Sequence, residues 1–250
     1  MYNALIVLAV LLLIHYIFND WIYAKKQRWY AWFQEQITEP INKAMRNHKT
    51  DLFGQLKDIV SADPELRKNN KIRILEIGAG SGANFKFLPP GTQLVALDIN
   101  DKFKQRLLSN LKCFPHLRLE RYVLADAANM KEIASNSIDA VVSQYCLCAC
   151  HNVPGVLEEV RRVLVPGGSF YFLEHVVDKW WTLRRPFQQF IQVTGIWPYL
   201  ACGCNVAKDT ASYLRNASFS KLEMKEFYLE TKHHWIFHFT KPTIGGKATK

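Results

Sequence analysis

Several signatures that would class a chain at once are missing from this sequence. No unit repeats at a fixed period of 20–50 residues, which sets aside solenoids and propellers. The formal net charge is +10, yet there is no dense basic stripe and no RNA- or DNA-binding motif. No nucleic-acid partner is therefore expected, and nothing points to an obligate protein partner. The positive excess sits late: residues 176–250 hold eleven Lys/Arg against five Asp/Glu. That is either a solvated face or an attraction to anionic lipid headgroups. A disulfide framework is also missing. Five of the six cysteines fall in two tight groups, Cys146-x-Cys148-x-Cys150 and Cys202-x-Cys204, where a secreted scaffold would spread them out. The C-x2-C spacing common in structural zinc sites does not occur there. Small buried thiols near a strand end are expected, in a reducing setting and with no metal.

What is present is a chain that is 49% hydrophobic and 22% charged, composed like one globular domain. Its N-terminus is different. Residues 4–14 are uninterrupted Ala, Leu, Ile and Val, and the apolar character runs on to Ala24 with polar breaks at His15, Asn19 and Asp20. A spanning helix needs about 20 mostly apolar residues, so residues 1–28 are expected to anchor the chain in a membrane. No basic residue precedes the run and no small-residue cleavage site ends it, unlike a signal peptide. Lys25, Lys26 and Arg28 follow it, among Trp21, Tyr23, Trp29, Tyr30 and Trp32, which orients the rest of the chain to the cytosol. Residues 29–70 are expected to be amphipathic helices, broken near Pro40, that cover one side of the site.

From residue 71 the pattern alternates strand and helix. Apolar runs at Ile72–Ile77, Leu94–Leu97, Leu119–Leu124, Ser137–Tyr145 and Ser169–Glu174 predict five strands. Helices are expected after Ala83, over 102–112 and over Pro154–Leu164. Such βα units build a parallel, doubly wound α/β sheet. Lys221–Leu229 and His234–Lys241 predict an antiparallel pair that brings the sheet to seven strands.

The first strand ends in Glu76-Ile-Gly78-Ala79-Gly80-Ser-Gly82. Glycines there let the backbone approach a ligand at the carboxyl edge of the sheet. Asp98, at the end of the second strand, is placed to accept hydrogen bonds from ribose hydroxyls. Gly78-x-Gly80-x-x-Ala83 also satisfies the dinucleotide fingerprint in its G/A form, so a nicotinamide-dependent oxidoreductase stays open on the loop alone.

The ordered set decides further. Glu76 before the glycines, Asp126 in Ala-Asp-Ala, the Ser-Ile-Asp-Ala-Val-Val strand and Leu-Val-Pro-Gly-Gly-Ser together resemble the class I S-adenosylmethionine-dependent methyltransferases. The resemblance implies a Rossmann-like fold and S-adenosyl-L-methionine as cofactor. It implies that Gly78, Gly80 and Gly82 cradle the methionine end, that Asp98 holds the ribose, and that Asp126 holds the adenine amino group. The expected cofactor-binding set is Glu76, Gly78, Ala79, Gly80, Gly82, Asp98, Ile99, Asp126, Ala127 and Gln144.

Leu75–Gly91, with its Asn84-Phe85 and Pro89-Pro90-Gly91, resembles one branch more closely: the methyltransferase-like seven family of membrane-bound alkyl-thiol S-methyltransferases. Residues 158–168 and Glu174-His175-Val176 resemble it too. What this implies is a cytosol-facing enzyme of the endoplasmic reticulum or lipid droplets, with a small lipophilic thiol as substrate. The triplet Cys146, Cys148 and Cys150 departs from the family pattern. Only the resemblance favours a thiol over a lipid, quinone or amine acceptor. His175 and then His151, each following a strand on the ligand edge, are the candidate general bases. Within the catalytic domain, 71–250, residues 177–206 carry Trp180, Trp181, Phe187, Phe190, Trp197 and Tyr199 and are expected to form an aromatic lid over the substrate, or to pack a helix on the sheet.

Overall fold

The computed structural model describes residues 2–230 and 235–250. It begins with a single helix, α1 (Tyr2–Ala44), about 65 Å long at 1.5 Å per residue. Ile6, Leu8, Leu12 and Phe18 on it are all exposed. Pro40 does not break it, contrary to expectation. Proline removes one backbone donor, but the turn that follows is held from outside: Asn42 is buried and donates to Ala83 O at 2.8 Å. Two short helices follow, α2 (Arg46–Phe53) and α3 (Pro64–Lys68). Asp63 caps α3, accepting from Glu65 N and Leu66 N.

The strands are β1 (Ile72–Ile77), β2 (Thr92–Asp98), β3 (Arg118–Leu124), β4 (Ile138–Gln144), β5 (Leu164–His175), β6 (Lys221–Tyr228) and β7 (Pro242–Thr249). They form one sheet in the order β3-β2-β1-β4-β5-β7-β6. Strands β1 to β5 pair in parallel, and β7 runs antiparallel to both β5 and β6. Order reverses between β1 and β4, which opens a crevice at their carboxyl ends.

The helices between strands are α4 (Lys104–Leu111) and α5 (Val153–Val163). Asn152 caps α5 by accepting from Gly155 N at 3.0 Å. Val153, Val156, Leu157, Val160 and Val163, at helical spacing, are buried against one face of the sheet. On the other face Met45, Phe53 and Leu56 pack on Ile74, Leu94 and Ala96. Beyond β5 come α6 (Arg184–Thr194), α7 (Ile196–Leu200) and α8 (Thr210–Asn216).

Two expected elements differ. The helix after Ala83 is only a 3₁₀ turn, Phe85–Phe87. Pro89 forces Leu88 into an extended conformation, φ −79° and ψ 140°, and stops it. The last strand is not His234–Lys241. His234 lies outside the described residues, Trp235–Thr240 form a 3₁₀ segment, and the strand is Pro242–Thr249. Its Gly245 and Gly246 lie opposite Leu173 and Phe172 of β5. A Cβ on Gly246 would meet Glu223 O at 2.1 Å, so this narrow slot between β5 and β6 accepts glycine.

Candidate active site

A cavity of about 370 Å³ lies at the carboxyl edge of the sheet. Loops after β1, β2, β3 and β4 form its floor, and α1 forms its opposite wall. Of the expected cofactor residues, Glu76, Gly78, Ala79, Gly80, Asp98, Ile99, Asp126, Ala127 and Gln144 line it. Gly82 is not among the lining residues. Its positive φ of 87° turns the chain away, and a Cβ there would strike the Phe85 ring at 2.4 Å. The packing of the turn therefore requires glycine at 82.

Asp98 is buried. One carboxylate oxygen accepts from Gly80 N and the other from Asn100 N, each at 2.8 Å. Burial pushes its pKa up to about 6, and backbone bonds from Asn100, Gly80 and Ile99 hold it back. A carboxylate offers about four lone-pair directions, so acceptor capacity remains for a ligand. Glu76 is buried more deeply. Its Oε1 accepts from Asn84 Nδ2 at 2.7 Å, and its Oε2 has no protein partner. Burial lifts Glu76 to about 7, opposed by the Asn84 bond and by the Lys49 charge. Lys49, fully buried on α2, bonds Asn42 Oδ1 and is pushed down to about 7 by its own burial. Gln144 donates to Met45 Sδ at 3.4 Å and leaves its buried Oε1 without a partner. Asp126 is exposed at the rim and accepts from Ala128 N at 2.8 Å.

The two histidines separate. His151 is exposed and lines the cavity. His175 does not line it. Its ring lies flat on Tyr145, centroids 3.7 Å apart, and Nδ1 pairs with Thr240 O at 3.0 Å. Burial pushes His175 down to about 4, so it is neutral at pH 7 and poorly suited to take a proton. The expectation of His175 as base is corrected on these grounds. Its neighbour Glu174 does not orient it either. Glu174 accepts from Ser143 Oγ, from Cys146 N at 3.1 Å and from Cys148 N at 3.4 Å, fixing the turn after β4.

That turn brings the two cysteine groups together. Cys148 Sγ lies 3.5 Å from Cys204 Sγ, and Cys146 Sγ lies 3.9 Å from Cys150 Sγ. No group that could hold a metal occurs among the described residues. From 177–206 only Cys202 and Gly203 line the cavity. Trp180, Trp181, Phe187, Phe190 and Tyr199 are exposed, while Trp197 packs edge-on to Phe239 at 4.8 Å. They do not form the expected aromatic lid.

The sequence placed 29–70 over one side of the site but did not name which residues of α1 line it, nor that the lining begins at Tyr23, within the expected anchor. Tyr23, Gln27, Tyr30, Gln34, Thr38 and Ile41 line the cavity, spaced by three and four so that they share one helical stripe. Asn100 Nδ2 ties the helix to the end of β2 by donating to Gln27 O at 3.3 Å. The signal was present as polar residues at helical spacing inside an aromatic stretch.

The geometry also bears on the dinucleotide alternative. A pyrophosphate is held at the N-terminus of a helix launched by the glycine loop, and here that loop enters a three-residue 3₁₀ turn. The profile of the Methyltransferase domain family matches residues 75–172. Human thiol S-methyltransferase TMT1A is 36% identical over 224 residues, covering 90% of this chain and 87% of its own. The chain belongs to the thiol S-methyltransferase family. Human thiol S-methyltransferase TMT1B is 35% identical, covering 89% and 86%. Among solved structures, Haemonchus contortus phosphoethanolamine N-methyltransferase 2 in complex with S-adenosyl-L-methionine superposes with a TM-score of 0.59 at 13% identity. That match covers 85% of this chain and 56% of the other, and shows the shared fold. The protein is thus an S-adenosylmethionine-dependent methyltransferase. The methyltransferase's cavity fits that cofactor. It pairs a buried diacceptor, Asp98, with an unpartnered acidic oxygen on Glu76. Where a Cβ on Gly80 would stand, no atom beyond its two chain neighbours comes nearer than 4.0 Å.

Proposed function

We propose that the enzyme methylates small lipophilic thiols at the cytosolic face of the endoplasmic reticulum or of lipid droplets, anchored by the apolar part of α1. The observation that carries the acceptor is the 36% identity to a thiol S-methyltransferase across 87% of that relative. The anchor rests on residues 6–24, an exposed apolar run of helix followed by Lys25, Lys26 and Arg28.

Bound in the cavity, S-adenosyl-L-methionine supplies a methyl group activated on a sulfonium. Asp98 would accept from the ribose hydroxyls with its remaining acceptor capacity. Asp126 accepts from the adenine amino group, with Ile99 and Ala127 beside it. Glu76, Gly78, Ala79 and Gly80 hold the methionine end, and the free Glu76 oxygen complements its ammonium. Gln144 offers a second acceptor there. The α1 stripe, with Tyr30 and Gln34, closes the cavity and excludes water, so alignment of the two sulfurs supplies much of the acceleration. An ordinary thiol, pKa ~8.5, is already a few per cent thiolate at pH 7. His151, at the rim, takes the remaining proton on an imidazole nitrogen.

The test is a methylation assay in detergent with an alkyl thiol, a phenol and an amine of matched lipophilicity. Turnover of the thiol alone is expected. Equal or faster turnover of the amine or phenol overturns the acceptor.

A further inference from the structure

The helix α6 gives its fully buried position to a polar residue, and Ile191 packs only partly against the apolar cluster around Phe239. The buried residue is Gln188, with no exposure. That side chain accepts from Asp178 N at 2.8 Å and donates to Val176 O at 3.3 Å and Phe239 O at 2.9 Å. Apolar residues share the helix's outer side with Gln189 and Thr194: Phe190 and Val193 are exposed, Val193 by 87%, and half-exposed Phe187 meets the Phe239 ring edge-on at 6.1 Å. Leu183 before the helix is 91% exposed, and Ile196 after it is 63% exposed. Exposed apolar residues scattered singly need no account, but a contiguous face of them marks a partner.

The neighbourhood names that partner. Lys26 Nζ lies over the Tyr199 ring at 4.6 Å, and Cys202 Sγ approaches Gln27 Oε1 at 3.8 Å. The end of α7 therefore abuts α1 where its exposed apolar run stops. Lysines sit over aromatic rings in this zone: Lys25 over Trp21 at 5.5 Å and Lys179 over Trp181 at 5.4 Å. Basic groups mixed with aromatics, next to an outward apolar face, suit the headgroup boundary of an anionic bilayer.

We infer that residues 180–200 form a second membrane-contact surface, seated shallowly in the lipid leaflet beside α1. The enzyme then rests on the bilayer by two elements, and Cys202 and Gly203, at the cavity wall, lie next to the lipid boundary. The occupant is an anionic phospholipid surface. The inference deepens the anchoring proposed above, and it relies on that reading only for the side of the molecule that faces lipid.

The test uses the full chain on phosphatidylcholine–phosphatidylserine vesicles carrying a diazirine on the acyl chain. Adducts are mapped by mass spectrometry after photolysis. Adducts both on 6–24 and within 180–200 are expected. Adducts on 6–24 alone overturn the inference and leave the anchor standing. Adducts within 180–200 alone support the inference and remove the anchor, and adducts on neither remove both. Dimers joined through 183–196 by an added bifunctional cross-linker, with no lipid adducts there, also overturn it, by making a second copy the occupant. A companion variant, Leu183→Ser, Phe187→Ser, Phe190→Ser and Val193→Ser combined, is expected to keep its thermal shift with S-adenosylmethionine in detergent. Its adduct yield within 180–200 should fall at least about fivefold. An unchanged yield in that folded variant overturns the inference.

Discussion

Helices α5 and α6 are both eleven residues long, and both have one apolar and one polar side. They are seated differently. In α5 the apolar side meets the sheet and the charged side meets water, with Arg162 bonding Glu159 Oε1 at 2.6 Å. In α6 the fully buried side chain is a glutamine, Phe187 and Ile191 touch the protein in part, and Phe190 and Val193 face outward. Amphipathicity gives the width of a stripe but not its direction. Direction follows from which surroundings satisfy each side, and a buried polar group is tolerated when its bonds are made.

That contrast breaks or sharpens under substitution. The largest effect is expected in α5. Leu157→Ala leaves a cavity in a packed interior and should cost about 3–5 kcal/mol, read as a drop in denaturant midpoint. A loss as small as that of an exposed residue would mean α5 is not the core helix of the pair.

Glu174 is the next test, because it is a buried polar group like Gln188 but ionisable. Burial lifts it from 4.5 to about 7, so the folded chain holds a proton that the unfolded chain releases. Its contribution is therefore full below pH ~4.5 and is lost as pH rises towards 7. Glu174→Gln should flatten that decline by on the order of 3 kcal/mol, seen in denaturation curves at pH 5 and pH 7.5. His175, pushed down to about 4, acts in the opposite sense in both proteins and drops out of their difference. An unchanged slope would show that Glu174 does not carry it.

Gln188→Leu should cost about 2 kcal/mol, because it strands Asp178 N, Val176 O and Phe239 O. In an ordinary amphipathic helix, leucine at the buried position stabilises, and that outcome would refute this reading of α6. The smallest effect is Phe190→Ser, expected within about 0.5 kcal/mol in detergent. A cost near that of Leu157→Ala would place Phe190 in a core.

The sheet was legible because strands buried on both faces read as continuous apolar runs. The last strand was not. Trp235-Ile-Phe-His-Phe looks like a strand and is a 3₁₀ segment. Pro242-Thr-Ile-Gly-Gly-Lys-Ala-Thr looks like a loop and is the strand between β5 and β6. Local propensity favours the first, but the space between two neighbouring strands accepts only the second. At the site, Glu76, Gly78, Gly80 and Asp98 were legible because their spacing along one βαβ unit fixes where they meet. His175 was misjudged because strand position does not reveal that Tyr145, at φ 54°, turns back across its ring.

The sequence by itself determined the α/β class, the glycine turn with its acids, and an apolar N-terminal helix, all features whose cause lies within a few residues of chain. Only the tertiary structure decided which residues of α1 line the cavity, that His151 reaches it while His175 does not, and that α6 buries Gln188 while it exposes Phe190 and Val193. Each of these depends on which distant segment supplies the hydrogen bonds or excludes the water, and periodicity along a single segment carries no record of that neighbour.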